Sequence, residues 1–176
     1  MNNTKRNVQL FTIFFVLIGL FYLFNYNLAH GAMTGSGDSG SSKTLTKFER
    51  LQKKATTLVK KAKKLEAKNK IEKAKKNYLK AYDILKKANK IEPNNPDVLN
   101  YLGFTLRKTG DLKNAEIFYL EGLKLDATHP GINEYLGELY VETNRIELAK
   151  ERLEALRVCD CEEFEELDAL IKEKSN

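Results

Sequence analysis

The chain has no tryptophan, three prolines, ten glycines, two cysteines and two histidines among its 176 residues. Each scarcity excludes something. His30 and His129 have no serine, cysteine or aspartate beside them in a nucleophile motif, so serine- or cysteine-type hydrolysis has no carrier. No Gly-rich phosphate loop, His-Glu-x-x-His or Cys-x-x-Cys occurs. Two thiols without histidine partners leave a tetrahedral metal short of ligands. The sequence therefore reads as a non-enzyme without cofactor or metal. Glycine and proline are few, and Val, Thr and Ile are outnumbered by Lys, Leu, Glu and Ala. That balance favours helix over sheet, because straight-chain residues lose little rotamer freedom in a helix.

Charge is present in quantity but unevenly placed. The net +6 resolves into +13 over residues 43–92, −8 over residues 93–176 and +1 over the first 42. A basic half and an acidic half imply different neighbours for each, unless the lysines are simply a solvated helix surface.

Asp, Glu, Lys and Arg are missing altogether from Asn7 to Gly37. Lys5 and Arg6 precede an apolar run from Val8 to Phe24, the layout of an export signal. Ala29-His30-Gly31 supplies small residues for cleavage near Gly31. The run is 17 residues, at the short end of what spans a bilayer, so residues 1–33 are a cleaved signal peptide or a retained anchor. Either reading puts the rest of the chain outside the cytosol, free in the periplasm or anchored in the inner membrane and facing it. Residues 34–44, rich in Gly and Ser, have the composition of a linker.

The sharpest signal is a repeat. Pro96 recurs as Pro130, Tyr101-Leu102-Gly103 as Tyr135-Leu136-Gly137, Ala81 as Ala115 and Ala149, and Leu85 as Tyr119 and Leu153, all at intervals of 34 residues. A fixed period of this length marks a solenoid of helix pairs. Asn95 before Pro96 can cap a helix. Gly110 and Asn144 suit the left-handed residue ending a first helix, and Asp111 can cap the second. Leu102, Leu106, Tyr119, Leu136, Tyr140 and Leu153 then fill the space between helices.

On these residues, segments 96–129 and 130–163 resemble tetratricopeptide repeats. The first supplies Leu99, Leu102-Gly103, Leu106, Ala115, Tyr119, Gly122 and Ala127. The second supplies Leu136-Gly137, Tyr140, Ala149 and Leu153. Asn133 for a large residue, Leu156 for Ala and Ala127 for Pro depart from the family pattern and imply looser packing. Upstream, Ala81, Leu85, Ala88, Ile91 and Pro93 fit a second repeat helix, whereas Lys68-Asn69 falls where Leu-Gly belongs. The resemblance implies an all-α, right-handed superhelix: a degenerate Lys-rich pair (45–95), repeats at 96–129 and 130–160, and a capping helix (161–176).

It also implies a function, since tetratricopeptide domains hold peptides or protein surfaces in a groove lined by the first helix of each pair. Here the groove positions would be Asp97, Asn100, Phe104, Arg107 and Lys108, then Glu134, Glu138, Val141 and Glu142. Phe104 stands out as an aromatic on a polar face, either covered by a partner or packed on the next unit. Acid at Glu134 and Glu138 suits a basic or mixed ligand. Cys159-Asp160-Cys161 is an apolar pair at a turn, a disulfide of an oxidising compartment, or a redox couple. The lysine-rich helices suit anionic lipid headgroups, with nucleic acid disfavoured by export.

Overall fold

The structure, a computed structural model, describes residues 44–175. The leader at 1–33 and all but the end of the linker at 34–44 lie outside them. Seven helices and no strand are found among the described residues: α1 (Lys47–Glu66), α2 (Ile71–Ile91), α3 (Pro96–Arg107), α4 (Leu112–Leu125), α5 (Pro130–Glu142), α6 (Ile146–Leu156) and α7 (Glu162–Ser175). None is long and apolar enough to cross a membrane.

Local chemistry sets the boundaries. Thr46 and Glu49 form a reciprocal capping box at α1, with Glu49 N donating to Thr46 Oγ1 at 3.1 Å and Thr46 N donating to Glu49 Oε2 at 2.7 Å. Asn95 caps α3 ahead of Pro96, and Asp111 caps α4. His129 belongs to this group: its Nδ1 accepts from Ile132 N at 3.3 Å, which makes it the cap of α5. Gly110 (φ 95°) and Asn144 (φ 58°) are left-handed, as the repeat required.

Asn69 (φ 53°) plays the same part between α1 and α2. It sits 41 residues before Gly110, whereas the repeat interval is 34. The first hairpin is therefore seven residues longer on each side of its turn. Measured from the repeat alanines Ala81, Ala115 and Ala149, α2 starts seven residues earlier than α4 and α6 do. At 1.5 Å per residue its turn stands about 10 Å further out along the hairpin axis.

The helices stack as successive antiparallel pairs, α1–α2, α3–α4 and α5–α6, each first helix resting on the second helix of the pair before it. Leu102, Tyr119, Ile132, Leu136 and Leu167 are fully buried, each large aliphatic contributing about 1.5–3 kcal/mol. Among the described residues, the three core clusters run from Phe48 to Ile171. The end units act as caps: α1–α2 closes one end of the two full repeats and α7 the other. α7 leans more on α5 than on α6, so it lies across the first-helix row and is not a fourth first helix in register.

One expectation is corrected. Asn133 does not loosen the second repeat. It is fully buried, donates from Nδ2 to Ala127 O (3.0 Å) and His129 O (3.1 Å), and accepts from Arg152 Nη1 (3.4 Å). It ties down the turn in place of the family's proline at the Ala127 position.

Candidate protein-binding surface

The first helices α1, α3 and α5 present the inner face. Their sequence spacing does bring Asn100, Phe104, Arg107, Lys108, Glu134 and Glu138 to one side, but most of them are not open to solvent.

Phe104 is buried (2% exposed). Tyr78 meets it edge-on at 5.7 Å and Tyr135 lies at 4.7 Å. Lys63 Nζ sits 4.9 Å over its ring and 3.1 Å from Tyr135 Oη. Of its two readings, packing within the chain therefore holds, against Tyr135 of the next unit and also against Tyr78 of the unit before. The cause is the longer first hairpin, which carries Lys63 of α1 far enough for its side chain to cross Phe104 and reach Tyr135 of α5. Side chains on a helix point back toward its N-terminus, so Lys63 and Glu66 reach down onto the repeats. Glu66 completes the contact by pairing with Lys108 at 3.1 Å and accepting from Tyr78 Oη at 2.7 Å. Burial, followed by the Glu66 bond, pushes the Tyr78 phenol upward.

Arg107 is also buried, and its guanidinium pairs with Glu138 through Nη2 and Glu142 through Nη1. Burial opposes its charge, but Glu138, Tyr119 and Glu142 together outweigh it and hold the guanidinium above its ordinary range. Glu138 is pushed up by burial in spite of Arg107. The pair is a desolvated one. Arg107 Nε and Asn100 Oδ1 are buried with no protein partner among the described residues.

Glu134 is 4% exposed. α7 lies over it, and oxygens of Glu134, Glu138 and Glu166 come within 4.8 Å of one another. This is the one place among the described residues where three carboxylates could meet a cation. Burial first, then the Glu166 bond and the charges of Glu138, Glu166 and Glu163, push the Glu134 carboxyl up to about 9, so a proton answers the same charge.

Between the ordinary carboxylate range and pH 9 the folded state thus holds a proton that the unfolded chain has released. Stability contributed by this group is complete below pH 4 and is lost as pH rises through 9. Wild type should lose Tm from pH 5 to pH 9, and Glu134→Gln should flatten that slope and gain about 1–2 kcal/mol at pH 8. Parallel melting curves for the two proteins across this range would remove the buried-proton assignment.

What remains accessible on the inner face is Lys63, the half-buried Tyr101, Tyr135, Lys108 and Glu138, and the exposed Glu142 and Asp97. The repeat positions fall where the period put them. Leu102, Gly103, Ala115, Tyr119, Leu136, Gly137 and Ala149 are all buried at helix contacts. Cys159 and Cys161 are joined in a disulfide in the turn before α7. Sequence spacing missed Lys63, Glu66 and Glu166, because they come from the two units outside the regular repeats.

Comparison with known proteins agrees with this architecture. Residues 84–117 match the tetratricopeptide repeat family. No curated protein matches the chain. A TPR protein of Thermus thermophilus superposes with a TM-score of 0.59 at 20% identity, over 73% of this chain and 63% of that one. This chain thus spans less than two thirds of that relative. The Sgt2 TPR domain of Aspergillus fumigatus gives 0.50 at 18% identity, over 69% and 78%. The type III secretion translocator chaperone SycD of Yersinia enterocolitica gives 0.50 at 14%, over 68% and 82%. With its helix pairs, its 34-residue register and residues 84–117 matching the family's repeat, the chain has the tetratricopeptide-repeat fold.

Proposed function

We propose that the protein is a non-enzymatic adaptor that binds another protein or peptide outside the cytosol. The observation that carries this is the stacked row of first helices, which still offers Tyr135, Lys108, Glu138 and Glu142 to solvent. Two half-buried aromatics (Tyr101 and Tyr135) between charges of both signs make a small contact surface of the kind that anchors partners. It is narrower than the family resemblance implies, because Phe104, Arg107 and Glu134 are engaged internally. A short segment of mixed charge fits it better than an acidic tail, which Glu138 and Glu142 repel.

The test is crosslinking with a reagent that does not cross membranes, applied to cells stripped of their outer layer. Wild type should capture a partner through this face. Tyr135→Ala and Lys108→Glu, with melting curves like wild type, should each lose it at least tenfold. Identical capture by wild type and both variants would end the inner-face reading, and no labelling of the protein at all would end the export reading.

A further inference from the structure

The end of the first hairpin is the most lopsided charged surface on the described chain. Residues 60–77 hold nine lysines and two glutamates, and one of those, Glu66, is taken up by Lys108 and Tyr78. Lys60 and Lys64 follow one another at helical spacing along the outer side of α1, opposite buried Ala55, Val59 and Ala62, and Lys68 continues them in the turn. Lys73 and Lys76 do the same on α2 opposite Ala74, Tyr78 and Ala81. All five are exposed, and none has an ion-pair partner among the described residues. At the apex stands Ile71, 52% exposed. The seven-residue extension carries this end past the repeats, so a flat surface meets it first.

We propose that this hairpin end is a docking surface for anionic lipid headgroups, with Ile71 entering the interface between its lysines. Lysine in place of arginine marks the surface for point-charge attraction and not for bidentate reading of a structured anion. The basic face offers no aromatic side chain on which nucleic-acid bases could stack. An exposed branched aliphatic among lysines is instead the pairing of an interfacial anchor. The sequence also carries its one long uncharged apolar run, Val8 to Phe24, upstream of this hairpin. The site is separate from the inner face, so both can be engaged together.

Flotation with vesicles tests this, using residues 43–176, which contain the three core clusters found among the described residues, once their melting curve is seen to match that of the full chain. This keeps the apolar run from partitioning by itself. Vesicles with roughly a third phosphatidylglycerol should carry the protein, pure phosphatidylcholine vesicles should not, and binding should fall steeply with salt. Lys60, Lys64, Lys73 and Lys76 changed together to Gln should weaken binding on the order of a hundredfold. Ile71→Ser should weaken it by roughly three- to tenfold. The same charge change made at Lys86, Lys87 and Lys90 should leave it within about threefold, since those residues lie 15 or more positions along α2 from Ile71, more than a Debye length at about 1.5 Å per residue. Equal loss from both sets, salt-insensitive flotation, or a hairpin-end variant that loses RNA retention while still floating would each overturn the proposal.

Discussion

Replacing Arg107 by methionine should lower the stability of the fold by about 3–5 kcal/mol. The side chain is 5% exposed and holds Glu138 and Glu142, two acids of the next repeat. Methionine keeps much of the aliphatic volume, so packing alone does not set the cost. Without the guanidinium, Glu138 stays in a place where burial already pushes its carboxyl up, beside Glu134, which is more buried still. Acid would offset the damage. Once Glu138 can protonate, the penalty should shrink, so the variant should approach wild type near pH 4–5 and diverge from it above pH 7. Adding Glu138→Leu should recover most of the loss at neutral pH, because a matched apolar pair is as good as a buried ion pair. Urea melts of the three proteins at two pH values decide the matter. A pH-independent deficit in Arg107→Met would show that the residue acts through packing only.

The second large effect separates two glycines that look identical in sequence. A Cβ built on Gly103 would lie 2.5, 2.7 and 2.8 Å from three ring atoms of Tyr119. Tyr119 is fully buried, and a locked ring can yield only by moving a helix. Gly103→Ala should therefore cost about 3 kcal/mol. At Gly137 the obstacle is Leu167, with Cδ2 at 2.4 Å. Leu167 is the flexible side chain of a terminal helix. Gly137→Ala should cost less, roughly 1–2 kcal/mol, and the change should be confined to α7. Hydrogen exchange distinguishes the two: faster exchange in α7 alone for Gly137→Ala, and throughout α3 to α6 for Gly103→Ala. Equal, global effects would mean that α7 is part of the common cooperative core.

The repeat was legible because its positions are chosen by contact. Gly103 under Tyr119 demands one residue type at one place, so the period survives in the sequence. Phe104 carried two readings, and what decides between them does not lie in its own repeat. Lys68-Asn69 fails to match Leu-Gly, and Asn69 is a left-handed turn residue seven positions early. The long helices on either side of it set the length of the first hairpin, but no spacing shows that Lys63 brings its amine onto Phe104. The apolar spacing of α7 showed that it docks, not onto which helix. Leu167, Leu170 and Ile171 fit any apolar seat, and the choice of α5 rests on the space over Gly137, which no spacing records. Asn133 reads as a defect by size alone, and only its three hydrogen bonds reveal a turn clasp.

The uneven distribution of charge has a consequence for how the molecule approaches anything. Excess positive charge gathers in the first hairpin, and excess negative charge lies in the repeats and α7 beyond it. Such a body carries a permanent electric moment along its length. A field from a charged boundary therefore turns it before it touches, and the torque acts within about one Debye length of contact, about 10 Å at 0.1 M salt. Encounters are sorted by orientation while the protein is still in solution, and ionic strength governs how strictly.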